Sequence, residues 1–162
     1  MANTMALTMG IAFTLISLLG FVAPAAGGLH LSPAHTLIHL CAAIAALFFG
    51  LIATGRGART FCFTLGGAFV LVGFLGFVFG TSQATTLTGV EPAVDSALWM
   101  AIPGHIEFGY RDHILHLISG AMLVAGGAFS DLRRGTRAEA NREDLERQRK
   151  SRLRNNLRKA PR

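Results

Sequence analysis

The sequence predicts an all-α membrane protein, a bundle of four transmembrane helices built from two parallel helical hairpin repeats. Three observations lead to this class: long uncharged stretches, an internal repeat and the placement of the basic residues. These stretches contain no Lys, Arg or Glu and cover about 5–25, 34–54, 60–80 and 112–130, and their only Asp is Asp112 at the very start of the last. Roughly twenty apolar residues let a helix cross a bilayer core, whereas a soluble amphipathic helix carries polar residues on every turn.

The internal repeat is visible in the first helix of each hairpin. Residues 10–22 read GIAFTLISLLGFV and residues 66–78 read GGAFVLVGFLGFV, with eight of thirteen positions identical. Each copy is followed by an apolar segment that opens with a His-Leu pair, at His39 and at His116. A repeat constrains the architecture more strongly than a local motif does. We therefore expect two hairpins, at about 5–54 and 60–130, within one membrane domain, 1–130.

The first apolar stretch is interpreted as a transmembrane helix. The sequence Ala23-Pro24-Ala25 resembles the cleavage site of a signal peptide, but no Lys or Arg precedes the apolar run, as a signal peptide would require. The same stretch also matches residues 66–78, which a removable peptide has no reason to do.

The basic residues predict the orientation of the bundle. The loop between the second and third stretches contains Arg56 and Arg59, and residues 131–162 contain twelve Lys and Arg against five Asp and Glu. The other two loops together contain a single Arg. Lys and Arg accumulate on the cytoplasmic side of membrane proteins. Both termini are therefore predicted to be cytoplasmic, and the other two loops to face outward.

The second hairpin carries an insertion in its outer loop. The first helices of the two copies are 56 positions apart, whereas His39 and His116 are 77 apart. About twenty-one extra residues therefore belong to the loop 81–111. We expect this insertion to lie on the outer surface, with a short helix near 93–101.

The basic tail, 131–162, is expected to be helical or disordered and exposed to water. Anionic lipid is its candidate partner, because basic residues beside a membrane are attracted to such a surface. The candidate lipid-contacting residues are Arg56, Arg59, Arg133 and Arg134. Aromatic residues do not interleave with the basic ones, so nucleic-acid binding is not expected.

Small residues are predicted to mediate packing between the helices. Membrane helices associate through small residues that allow close backbone approach. The candidates are Gly10, Ser17, Gly20, Gly50, Gly66, Gly73, Gly76, Gly80, Gly120 and Gly127.

The histidines form the one polar group within the predicted spans. All six lie on the predicted outer side, and alignment of His39 with His116 places His35 opposite Asp112. The candidate site residues are His35, His39, Asp112, His113 and His116. Ionisable residues inside a span are costly and prompt a functional hypothesis. The structural interpretation is that these residues form a polar clamp, joining helices through hydrogen bonds. The functional alternatives are a metal site, axial haem ligation and a pH-sensitive switch.

The sequence contains no pattern that supports an enzyme. The serines and threonines of the loops lack an accompanying base, and the glycines punctuate helices without forming a phosphate-binding loop.

The chain resembles a family of small bacterial four-span membrane proteins that is described only as a domain of unknown function. The likeness rests on LLGFV and FLGFV at the ends of the repeated helices and on Asp112-His113-Ile114-Leu115-His116-Leu117. It covers about residues 8–130. The resemblance implies a four-helix fold in a bacterial inner membrane and implies no reaction.

Two functions follow as hypotheses. The first is a structural or accessory membrane protein that contacts other membrane subunits or a second copy of itself. The alternative is a protein that binds a metal or haem at the outer His/Asp cluster. These classes differ in whether the purified protein carries a ligand.

Overall fold

The computed structural model describes residues 1–87 and 94–159, with side chains described for all of these except 131–137 and 151–159. The helices are α1 (Ala2–Val22), α2 (Pro33–Leu51), α3 (Gly55–Phe79) and α4 (Tyr110–Lys159), with a 3₁₀ turn at Ala26–Gly28. The prediction of four helices that could span a membrane is confirmed: α1, α2, α3 and Tyr110–Ser130 of α4 are 19 to 25 residues long and apolar enough to cross a bilayer.

Local capping interactions set the starts of three helices. The Ser32 hydroxyl accepts a hydrogen bond from the His35 amide (3.1 Å), and Pro33 follows at the first position of α2. The Thr54 hydroxyl accepts from the Gly57 amide (3.3 Å) before α3. Asp112, in the first turn of α4, accepts from the Gly109 amide (2.8 Å). Each bond satisfies an amide that a helix start leaves without an intrahelical partner.

The helices pack as two hairpins. Helix α1 contacts α2 along its length and α3 contacts α4 in the same way, while the hairpins meet through α1 against α3 and α4. The centre of the bundle is a buried cluster that includes three pairs of residues 56 positions apart, namely Ala2 and Ala58, Ala6 and Cys62, and Phe13 and Phe69.

The tightest fit of a helix glycine against a side chain within each hairpin lies near the ends of α1 and α3. A Cβ atom on Gly20 would overlap the side chain of Thr36, and a Cβ atom on Gly76 would overlap the imidazole of His113. Glycine is needed at both positions because any larger residue would push the two helices of the hairpin apart. Thr36 and His113 are 77 positions apart, which is also the spacing of His39 and His116.

The other small residues predicted to mediate packing fall into two groups. Most lie between helices: Gly10 by Leu47, Gly50 by Leu7, Gly66 by Gly120, Gly73 by Leu117, Gly127 by Phe63, with Ser17 buried. Gly80 is different, because it ends α3 and lies against the Ala97 carbonyl of a strand. Gly126, which the sequence did not single out, lies against Met5.

The all-α prediction is incomplete, because the loop between α3 and α4 contains a small antiparallel sheet. Its strands are β1 (Thr81–Ala84), β2 (Val94–Ile102) and β3 (Ile106–Phe108), in the order β1-β2-β3. The helix expected near 93–101 is wrong: residue 93 lies outside the described residues, and the remainder belongs to β2. The strand is fixed by pairing with both neighbours, with Thr81 opposite Leu98 and Trp99 opposite Phe108. We call the end of the bundle that carries this sheet the sheet end.

The described part of the basic tail continues α4 as one helix to Lys159. Its described side chains, over 138–150, are all exposed. Arg56 is exposed at the same end of the bundle, and the Arg59 guanidinium lies 5.5 Å from the centre of the Phe63 ring. The side chains of Arg133 and Arg134 lie outside the described residues.

Candidate functional site

Three buried imidazoles meet near the sheet end. His35 and His39 belong to α2 and His116 belongs to α4, and their side chains are only 2%, 6% and 6% exposed. Each can offer one ring nitrogen such that the three atoms lie within 4.8 Å of one another. The Nε2 atoms of His35 and His39 are 3.0 Å apart. We call these three residues the histidine cluster.

Helix periodicity and hairpin packing together create the histidine cluster. Residues four apart lie on the same face of a helix, so α2 presents His35 and His39 side by side. The second hairpin supplies His116, whose ring centre lies 5.8 Å from the ring centres of both.

Aromatic rings enclose the histidine cluster. Phe13 lies against His39 (5.7 Å between ring centres), Phe69 against His116 (5.2 Å) and Phe108 of β3 against His35 (4.8 Å). An apolar shell of this kind limits solvent access to a polar centre and fixes the orientation of its rings. The sheet therefore contributes one wall of the site.

The orientation of His35 is fixed by a backbone carbonyl. Its Nδ1 lies 2.8 Å from the carbonyl oxygen of His30. A carbonyl only accepts, so Nδ1 carries the proton and the lone pair of Nε2 points at His39. His39 must then donate from Nε2, which leaves its buried Nδ1 without a hydrogen-bond partner among the described residues.

No family model, curated protein or solved structure matches this chain.

Asp112 borders the histidine cluster but is engaged elsewhere. One carboxylate oxygen accepts from the amides of Gly109 (2.8 Å) and His30 (3.1 Å), and it lies 3.3 Å from Nδ1 of His30. The adjacent carboxylate of Asp112 raises the pKa of His30 despite the opposing effect of burial. Asp112 thus holds the start of α4 and the loop before α2 together, and it contributes negative charge beside the imidazoles.

His113 is the predicted site residue that the structure separates from the others. Its Nε2 lies 2.8 Å from the carbonyl oxygen of Ala97 in β2, and its ring packs against Phe77. His105 lies exposed in the turn between β2 and β3. His30 was not among the predicted site residues, although its backbone positions both His35 and Asp112. Its place in a short loop gave no periodic signal.

Glu107 is a second buried carboxylate, and the sequence did not indicate its role. It accepts hydrogen bonds from the Thr85 hydroxyl (2.7 Å), the Thr86 amide (3.1 Å) and hydroxyl, and the Gly104 amide (2.9 Å). Burial acts to raise the pKa of Glu107, but these hydrogen bonds outweigh it and lower the pKa. Glu107 therefore fastens the strands and turns of the sheet above the histidine cluster.

The geometry suits a single ion better than a haem. A haem between His39 and His116 would need a flat open slot, but His35 is hydrogen-bonded to His39 within that space. The Phe69 ring also packs against both imidazoles, with its centre 6.0 Å from that of His39 and 5.2 Å from that of His116. A small cation needs only the space between the nitrogens.

Proposed function

We propose that this chain is an integral membrane protein that binds one divalent transition-metal ion through His35, His39 and His116. The observation that carries the proposal is the convergence of three buried ring nitrogens within 4.8 Å. Imidazole nitrogen is a ligand that suits zinc, copper, iron and nickel.

The distances fit a metal site with a small adjustment. Zinc–nitrogen bonds of about 2.0–2.1 Å at a tetrahedral angle place two ligand nitrogens about 3.3 Å apart. His35 and His39 already have their Nε2 atoms 3.0 Å apart. A shift of roughly 1.5 Å would bring the widest separation, 4.8 Å, to the tetrahedral value. Three protein ligands leave the fourth position of the ion open.

The arrangement around His35 also supports metal binding. A histidine that binds a metal through one ring nitrogen donates a hydrogen bond from its other ring N–H to a carbonyl or carboxylate, and this bond orients the ring. His35 makes this bond to the His30 carbonyl.

A purely structural or accessory role is the alternative hypothesis. A polar clamp would join two helices, yet the hydrogen bond within the histidine cluster joins His35 to His39 of the same helix. Among the described residues, no hydrogen bond links His116 to either of them. Contact with another membrane subunit is compatible with either role.

We infer the membrane setting from the charges. Arg56, Arg59 and the basic extension of α4 lie at the end opposite the sheet, so the positive-inside rule favours cytoplasmic termini and an outward-facing sheet end. The family resemblance favours a bacterial inner membrane. Duplication of a hairpin is proposed for the fold, and the matched approaches of Gly20 to Thr36 and of Gly76 to His113 support it.

The test is metal content of the purified protein. The full chain in detergent is loaded with Zn²⁺, dialysed and analysed for zinc, and a Co²⁺-loaded sample is examined for the visible absorption of a tetrahedral site. Wild type should retain about one equivalent, and His39→Ala and His116→Ala should each lose at least ten-fold in affinity.

His113→Ala is the matched control, because His113 is also a buried histidine of α4 but faces the sheet. It should keep the metal. A folded wild type that holds no zinc or cobalt, or a His116→Ala protein that binds as well as wild type, would overturn the proposal. A haem absorption band in protein from native membranes would favour the haem alternative.

A further inference from the structure

A cavity of about 190 Å³ lies between α1 and α4 and reaches the histidine cluster. At its polar end are His39, His116 and Asp112, which are at most 6% exposed. Its body is lined by apolar side chains, including Met9, Phe13 and Ile16 of α1. An apolar cavity with a few polar groups converging at one end is typical of a small-molecule site.

The cavity is bounded on its outer side by residues that face the bilayer. Leu115, Ile118 and Met122 line it from α4, and they are 45%, 52% and 41% exposed on the surface of a membrane-spanning helix. A molecule dissolved in the hydrocarbon core therefore meets mainly flexible aliphatic side chains on its way in, with the Ser119 hydroxyl hydrogen-bonded to the Leu115 carbonyl of its own helix. Entry from lipid selects apolar, uncharged molecules.

The volume of the cavity fits one ring. An apolar cavity of about 150 Å³ binds benzene, so the volume here accommodates a six-membered ring with one or two small substituents. The Phe13 ring in the wall provides a face against which an aromatic ring packs.

The polar groups at the end of the cavity determine which substituent on the ligand ring can bind there. His39 contributes a buried Nδ1 without a hydrogen-bond partner. A hydroxyl group both donates and accepts, so it satisfies this atom whether or not the imidazole carries its proton there. A carboxylate on the ligand would be repelled by Asp112.

We propose that the cavity binds a lipid-soluble monocyclic phenol, the chemistry of a hydroquinone head group, with its hydroxyl oxygen at the histidine cluster. The inference rests on the proposed function in one respect: an ion held by Nε2 of His39 would keep the proton of that ring on Nδ1, which would then donate to the hydroxyl oxygen. The apolar ring lies along α1, and any alkyl tail extends between α1 and α4 into the lipid.

The test uses the full chain in lipid nanodiscs, loaded with Zn²⁺, which has no redox chemistry. Binding of 4-ethylphenol and of ethylbenzene is measured by equilibrium dialysis against empty nanodiscs, and zinc is quantified in the same samples. Wild type should bind about one equivalent of 4-ethylphenol, at least ten-fold more tightly than ethylbenzene, which has the same body without the hydroxyl.

Ala12→Phe fills the cavity from α1, and Ala68→Phe is its matched control. Ala12 lines the cavity, whereas Ala68, 56 positions later, is exposed on α3 and is not a lining residue. Ala12→Phe should weaken 4-ethylphenol binding at least ten-fold and retain zinc, while Ala68→Phe should match wild type. Ala12→Leu, a smaller obstruction, replaces Ala12→Phe if that variant does not fold.

The outcomes separate the two proposals. Saturable 4-ethylphenol binding that Ala12→Phe abolishes supports the cavity site, and if zinc is absent from that sample the metal proposal alone fails. Zinc retention with no preference for 4-ethylphenol over ethylbenzene overturns the phenol site and leaves the metal site standing. Binding that Ala12→Phe does not change also overturns the phenol site.

Discussion

The imidazole rings of His39 and His116 lie nearly parallel, with 10° between their planes and 5.8 Å between their centres, although they belong to different hairpins. Each ring also contacts a phenylalanine of its own hairpin, and Phe13 and Phe69 meet edge to face at 5.1 Å. The histidine cluster is thus built on two His/Phe pairs, one from each hairpin, and Phe13 and Phe69 join it to the buried cluster of the bundle. The predictions that follow concern this centre and the elements that hold it in place.

Zinc should stabilise the wild-type protein and not the His35→Ala variant. A ligand that binds only the folded state stabilises it by about 2.7 kcal/mol at a hundred-fold excess over its Kd. Thermal unfolding in detergent, with and without Zn²⁺, measures this as an increase in Tm that a chelator reverses. An equal increase in both proteins would place the zinc elsewhere.

His113→Ala should destabilise the protein without loss of the metal. The change removes a buried ring that fills the space beside Gly76 and its hydrogen bond to Ala97. The lost hydrogen bond alone is worth about 1 kcal/mol. Unfolding in a denaturing detergent measures the loss, and zinc content provides the second readout. Loss of zinc from a folded His113→Ala protein would contradict the assignment of this residue to the sheet contact.

Gly76→Ala should loosen the second hairpin. The added methyl group would overlap the His113 ring, and overpacking of this kind costs about 1–3 kcal/mol. Gly67→Ala is the control on the same helix, because nothing lies within 4 Å of its added Cβ atom. The control should be neutral or slightly stabilising. Equal stability of the two variants would show that α3 and α4 do not pack as closely as the structure has them.

Glu107→Gln should reduce stability near neutral pH and much less in acid. The folded state lowers the pKa of Glu107, so the carboxylate stabilises the protein above its unfolded pKa of about 4.5, and this contribution is lost as the pH falls through the folded value. Tm is compared between wild type and variant at pH 7 and at pH 3.5, with exposed Glu143→Gln as control. A Tm difference between wild type and Glu107→Gln that does not shrink in acid would contradict the role of the charge.

The sequence was sufficient to predict the four apolar helices and the convergence of three of the five candidate residues, His35, His39 and His116. Uncharged runs of about twenty residues have few alternatives to a membrane helix. The four-residue spacing of His35 and His39, combined with the repeat, brought His116 to the same place. These features are predictable because they depend on helix periodicity, which is local.

The sheet and the position of His113 could not be predicted in the same way. Residues 94–102 include Ala, Leu and Met, which favour helices in isolation. Pairing with β1 and β3 overrides this preference, as long-range contacts commonly do. The orientation of the His113 side chain depends on its hydrogen bond to the Ala97 carbonyl. It is therefore set by the sheet and not by the local sequence Asp112–His116.

The backbone amide of the loop residue His30 donates a hydrogen bond to Asp112 of the second hairpin. Its carbonyl oxygen accepts a hydrogen bond from His35 of the first hairpin. The backbone of this one residue therefore connects the two hairpins through hydrogen bonds. A piston-like slide of the second hairpin past the first would break the hydrogen bond between the His30 amide and Asp112, so this loop opposes such a motion while His35 keeps the loop in place.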